Sequence, residues 1–255
     1  MMSRIHQEAS LSDDVYYQLK DYILSDVTHP AERMQISLLS EHFGVSITPI
    51  REALIRLSAE ALIELRPGRG FFYKEFVPAE QIALYDAMFC VLKYSIENGS
   101  ARSPVRFLYE MKALLPAQGE AQPSPQAVHT TVLAAEKLVE QIAVISGNPQ
   151  LVGLTRSLCE RTRISRLLDF EQPSNAALIV NALKQLVLAL QHGDGPAAIT
   201  ILRDMIDKKR ARMSELASER RRRLYAAHPL LQPGAGRHVV VRYHDRESGN
   251  DGPEG

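Results

Sequence analysis

Three apolar stripes of helical period follow one another near the start of the chain. Val15, Leu19, Tyr22 and Ile23 recur at three- and four-residue intervals and predict a first helix. Ser12 is placed to cap it, with Asp13 and Asp14 in the first turn, where negative charge suits the helix dipole. His29-Pro30 breaks this helix. Leu38, Leu39 and Phe43 make the second stripe, with Ser37 as its N-cap and Gly44 as its left-handed stop. Thr48-Pro49 reads as a cap followed by proline at the first helical position. The third helix then carries Ile50, Ala53, Leu54 and Leu57 on one side and Thr48, Arg51, Glu52 and Ile55 on the other. After Leu62 the pattern becomes that of two short strands, Ile63-Glu64-Leu65-Arg66 and Gly70-Phe71-Phe72. Between them Pro67-Gly68 suits a type II turn, proline setting φ and glycine accepting a positive φ.

Beyond Pro78 the pattern is almost continuously helical, with segments predicted at about 79–98, 103–115, 125–146, 149–168, 174–191 and 196–224. Gly147-Asn148-Pro149 and Gly193-Asp194-Gly195-Pro196 punctuate them, and residues 116–125 read as a polar loop. Val239-Val240-Val241 is too isolated to found a sheet. From Tyr225 prolines, glycines and charges dominate, which predicts a disordered tail over 225–255. The expected organisation is a flexible N-terminus (1–11), a winged helix-turn-helix (12–76), an all-helical domain (79–224) and that tail. The fold class is mainly α. Two helices, a tight turn between them and a basic-tipped hairpin at this distance describe a module that reads DNA.

Charge narrows how such a module would work. Lysine plus arginine and aspartate plus glutamate number 30 each over 255 residues, so no global field drives the chain onto nucleic acid. The first 76 residues lean acidic, with 8 basic against 11 acidic side chains. DNA affinity must then come from a few placed cations. Arg51 projects from the third helix, where an arginine can pair with guanine O6 and N7; a surface pair with Glu52 is the bland alternative. Thr48 is a candidate for a phosphate or base edge, or simply for capping. Ser46 and Ser37 are phosphate candidates. Arg66 and Arg69 sit at the hairpin tip, Gly68 and Gly70 would let its backbone approach a sugar-phosphate wall, and Arg33 lies near the start of the second helix. Lys208-Lys209-Arg210 and Arg220–Arg223 read as solvated clusters balanced by Glu215 and Glu219.

Other chemistries find little footing. Cys90 and Cys159 lack CxxC spacing and fall in apolar helical patterns, which predicts buried core thiols in a reducing cytoplasm. No Walker loop, GxSxG or HExxH is present, so an enzyme is not expected. No signal peptide and no apolar run near the length of a membrane span stand out, and the expected location is cytoplasmic. Glu136 and Glu140, spaced i and i+4, could share a cation with His129. They lie beside the apolar stripe of Ala135, Leu138, Val139 and Ile142, so a solvated acidic face pairing with Lys137 or a neighbouring helix is the simpler expectation.

Residues 13–75 resemble the GntR family of bacterial transcriptional regulators. The likeness is carried by Tyr16, Leu19 and Ile23, by Leu39 with Phe43-Gly44-Val45-Ser46, by Thr48-Pro49-Ile50-Arg51-Glu52-Ala53-Leu54, by Leu57 and Leu62-Ile63, and by Arg66-Pro67-Gly68-Arg69-Gly70. Residues 79–224 are similar in helix punctuation, at Ser146-Gly147-Asn148-Pro149 and Gly193-Asp194, to the helical effector domain of the FadR-like (FCD-type) branch. The resemblance implies a homodimer on a near-palindromic double-stranded operator, mostly acting as a repressor, whose affinity a small metabolite changes. It also implies a metal site of one Asp and three His, but those positions fall here on Ala135, Val139, Leu183 and Met205, none of them a ligand for such a cation. The branch's arginine falls near Met88, its following glutamate near Lys93, and Ile47 stands where the family often has another arginine. The expectation is therefore no bound metal and no cofactor. An effector would be largely apolar, seated among Met88, Ala135, Val139, Leu183 and Met205; those residues read equally well as plain core that fills the cavity.

Overall fold

A computed structural model describes residues 2–25, 32–99 and 124–227. The predicted helix at 103–115, the loop after it, the His29-Pro30 break and the tail beyond Ala227 lie outside these residues. The N-terminal unit comprises α1 (Met2–Ser25), α2 (Ile36–Phe43), α3 (Ile47–Ala59), β1 (Ile63–Arg66) and β2 (Gly70–Tyr73). The second unit contains α4 (Pro78–Asn98), α5 (Pro125–Val144), α6 (Pro149–Arg161), α7 (Arg163–Phe170), α8 (Pro173–Gln191) and α9 (Gly195–Ala227). The fold is mainly helical, as the periodicity predicts.

Each unit has its own core. Val15, Leu19 and Ile23 from α1 meet Leu39 from α2, Ile50, Ala53, Leu54 and Leu57 from α3, and Ile63 and Phe71 from the hairpin. Burial of this kind stabilises by about 1.5–3 kcal/mol per large side chain, and it fixes which face of α3 is left outside. The larger core is built by α4 through α9, with Leu92, Leu138, Ile142, Leu168 and Leu186 fully enclosed.

Several element boundaries differ from the sequence reading. α1 starts at Met2, so it runs through the segment expected to be flexible, and Ser12 lies inside it, donating to Glu52 Oε2 at 3.0 Å. α2 is capped at Gln35 rather than Ser37, which sits inside its first turn, and Leu38 is 55% exposed rather than inward. Ser46 occupies the N-cap position of α3, with Thr48 and Pro49 already helical. Pro49 is tolerated there because the first-turn N–H groups lack helical partners anyway. The segment expected as one helix over 149–168 is two, divided at Thr162, whose hydroxyl donates to Leu158 O at 2.6 Å.

Other signals hold. Gly44 is left-handed at φ 65°, with its N–H on Glu41 O and that of Val45 on Ser40 O, closing α2 as a Schellman motif. Asn148 caps α6 through Gln150 N at 3.0 Å, and Asp194 accepts from Ala197 N at 2.9 Å. Cys159 is buried as expected, but Cys90 is exposed. Contrary to the expectation of no apolar run near that length, the 19-residue α8 is apolar enough by length and composition to cross a membrane; Val180, Leu183, Leu186 and Val187 bury one side of it in the helical core.

Candidate nucleic-acid interface

The outer face of α3 is as the helical wheel places it. Ile50, Ala53, Leu54 and Leu57 are buried, while Thr48, Arg51, Glu52 and Ile55 are exposed. The face begins with Ile47, which is 49% exposed. Glu52 accepts from Ser12 rather than pairing with Arg51. Among the described residues no hydrogen bond or ion pair engages the Arg51 side chain, so its guanidinium stands ready for an outside partner. Ser46 and Ser37 are both exposed, at the start of α3 and in the first turn of α2.

The hairpin forms with Ile63 opposite Tyr73 and Arg66 opposite Gly70. Arg69 N–H donates to Arg66 O at 2.9 Å, and Gly68 at φ 71° occupies the third position of the turn, as a type II turn requires. Arg66 is held by Glu64 at 2.8 Å and stacks on the Phe72 ring at 4.1 Å. Glu64 is consequently held below the usual carboxylate range by the Arg66 hydrogen bond, although its exposure makes this a weak tether. Arg33 lies two residues before the Gln35 cap of α2. It forms an isolated antiparallel bridge with Phe72, and Met34 N–H donates to Phe71 O at 2.8 Å, tying this segment to the edge of the two-stranded wing. A Cβ on Gly70 would stand 3.3 Å from Arg33 Nε, so glycine there admits the guanidinium. Arg33, Arg66 and Arg69 thus converge on one hairpin beside α3.

Two residues that sequence reasoning missed hold α3 in place. Arg56 lies on the Tyr16 ring at 3.8 Å and bonds Asp13 at 2.6 Å, fastening α3 to α1. Lys20 donates to Glu60 Oε2 at 2.9 Å, at the end of α3, and to Glu160 Oε1 at 2.8 Å, at the end of α6. Burial lowers the Lys20 pKa and its hydrogen bonds to Glu160, Tyr16 and Glu60 raise it further, so it stays charged. This one ammonium links the winged helix-turn-helix to the helical unit. No periodicity could have shown it, because the partners lie 40 and 140 positions away.

The helical unit contains a second correction. Glu136 and Glu140 are buried, not a solvated face. Glu136 accepts from Arg163 Nε at 3.0 Å and Nη2 at 2.6 Å, and from Arg166 Nη2 at 2.6 Å. Burial pushes Glu136 up, but the two arginines outweigh it and hold the carboxyl below its ordinary value. Glu140 is shared by Lys137 and Arg156. Carboxylates so neutralised are poor cation ligands, and no cluster of three or more metal-binding side chains occurs among the described residues. The basic stretches of α9 are not simply solvated either: Lys209 and Arg212 both meet the buried Asp169, and Arg223 meets Glu171 and Glu219. Met88, Ala135 and Leu183 are buried, and Val139 and Met205 half-buried, in one apolar cluster.

Residues 11–72 match the model of the family described as bacterial regulatory proteins, gntR family. An uncharacterized HTH-type transcriptional regulator in an unstable DNA locus of Streptomyces ambofaciens is 26% identical over 215 residues, 80% of this chain and 88% of that protein. The Nta operon transcriptional regulator of Aminobacter aminovorans is 25% identical over 142 residues, 56% and 67% of the two chains. Among solved structures, a putative transcriptional regulator GntR from Rhodococcus sp. RHA1 superposes with a TM-score of 0.69 at 17% identity, covering 81% of this chain and 98% of that one, a likeness of fold. Over residues 11–72 the winged helix-turn-helix of this chain is thus similar to that of the gntR family of bacterial regulatory proteins.

Proposed function

We propose that the chain is a sequence-specific, non-enzymatic transcriptional regulator that binds a near-palindromic operator as a homodimer and represses by occluding the promoter. The observation that carries the reading is Arg51, exposed and unengaged on the outer face of α3, with Arg33, Arg66 and Arg69 gathered on the adjacent wing. Thr48, Ser46, Ser37 and the backbone at Gly68 supply phosphate contacts around it. The protein works in the cytoplasm, where the operator is. The FadR-like assignment of the helical unit belongs to the same proposal: an effector without metal would sit among Met88, Ala135, Val139, Leu183 and Met205.

A second reading is a constitutive regulator whose helical domain only dimerises or binds a protein partner. The burial of Met88, Ala135 and Leu183 in the hydrophobic core, with Val139 and Met205 packed against it, favours it. Melting the protein with candidate metabolites separates the two, because a ligand of the native state raises Tm. The regulator reading itself is tested by selecting bound fragments from the source genome with wild type and Arg51→Ala. Enrichment of a short near-palindrome that Arg51→Ala loses supports it. No enrichment by wild type, even at low salt, refutes it.

A further inference from the structure

The outer face of α3 opens with an isoleucine where a DNA-reading helix has most to gain from a polar group. Ile47 is the first helical residue after the Ser46 cap and is 49% exposed. It sits one turn before Arg51, so the two side chains rise from the same face with Cβ atoms about 5–6 Å apart. Thr48 and Glu52 flank them. The core of the N-terminal unit is complete without Ile47: its apolar members on α3 are Ile50, Ala53, Leu54 and Leu57. Packing within the chain therefore does not account for a β-branched apolar side chain at this position. The N-terminal turn of a recognition helix is the part that approaches base edges in the major groove. There the one apolar group that DNA presents is the C5-methyl of thymine.

Resting on the DNA-reading function proposed above, we infer that Ile47 is a specificity-determining residue that reads a thymine methyl next to the guanine paired by Arg51. The spacing sets where that thymine lies. Side chains one helical turn apart and about 5–6 Å distant span one to two base-pair steps at about 3.4 Å each. The half-site therefore contains a required thymine within about two base pairs of the Arg51 guanine, on either strand. Ile55 is also exposed but lies two turns further along α3, away from the end that approaches the bases.

Thymine and uracil differ only in this methyl, which makes the inference separable from every other contact. The operator selected by the full-length protein is synthesised with each thymine in turn replaced by uracil in both half-sites, and affinities are read by fluorescence anisotropy for wild type and Ile47→Ala. A methyl-sized group moved from water into apolar contact is worth about fourfold per half-site, or about fifteenfold for both. Wild type should lose this at one thymine position near the Arg51 guanine, while Ile47→Ala binds thymine and uracil operators equally. The inference is overturned if no uracil position weakens wild type, or if Ile47→Ala shows the same loss. Failure of the underlying reading looks different: wild type then enriches no operator at all. Because Ile47 is half exposed, circular dichroism and melting of Ile47→Ala should match wild type, which checks that the variant folds.

Discussion

Glu136→Gln is the substitution that most directly tests how the helical unit is held together. The carboxylate is 8% exposed and lies between Arg163 and Arg166, themselves buried on α7. Glutamine retains the shape but replaces one acceptor oxygen with an NH2 group that must face guanidinium N–H groups, and it leaves two positive charges with no counterion. Removing one partner of a buried ion pair costs about 3–5 kcal/mol. For a domain of this size each kcal/mol moves Tm by about 2–4 °C, so the variant should melt about 10 °C lower. Arg156→Ala is the matched control. Arg156 meets the neighbouring Glu140, but its own side chain is 59% exposed, so its loss should cost under about 1 kcal/mol. The two arginines hold the folded-state pKa of Glu136 below its unfolded value, about 4.3. Its contribution is thus complete above that value and is lost as pH falls through the lower folded pKa. The gap between wild type and Glu136→Gln should be widest near neutrality and close in acid. Thermal and urea melts at several pH values at fixed protein concentration make the measurement. If Glu136→Gln melts with the Arg156→Ala control at pH 7, the argument from burial and charge pairing is wrong.

Two further outcomes follow from local geometry. Ala61 closes α3 with φ at 58°, where an L side chain is strained and glycine is not, so Ala61→Gly should raise stability by about 1 kcal/mol in urea titration; destabilisation would show that the left-handed turn carries no such strain. Burial pushes the Cys159 thiol up to about 12 and leaves it protonated at neutral pH, whereas Cys90 is exposed, so a thiol reagent should label Cys90 alone in the native protein and both in denaturant. Labelling of Cys159 in the native protein would contradict the closed core around it.

The reading head was legible because its determinants are local. Helical spacing of Ile50, Ala53, Leu54 and Leu57 decides which side of α3 packs inward, and that leaves Arg51 outside whatever the rest of the chain does. Pro67-Gly68 selects its turn from two residues' φ preferences alone, and Gly44 its helix stop from the absence of a Cβ. Caps were less legible, because Ser12, Ser37 and Thr48 are each good caps in isolation. The observed starts of α1 at Met2 and of α2 at Ile36 do not follow cap preference, which is worth only about 1 kcal/mol, and α3 starts after Ser46 rather than after Thr48.

Charge was where the sequence misled. Glu136, Lys209 and Arg223 read as solvated by the usual rule for ionisable side chains, and each lies against an opposite charge from another element, with Glu136 buried and Lys209 half-buried. Whether a charge is buried depends on a partner brought up by the fold, at separations such as the 40 positions between Asp169 and Lys209, and no periodicity encodes that. The same holds for Lys20, which joins the two units through Glu60 and Glu160. The sequence by itself determined the helices, the wing and the outward face of α3, since those depend on side chains within a few residues of one another. The tertiary structure alone decided which charges became the pins between helices and between domains, because desolvation and pairing exist only once distant segments have met.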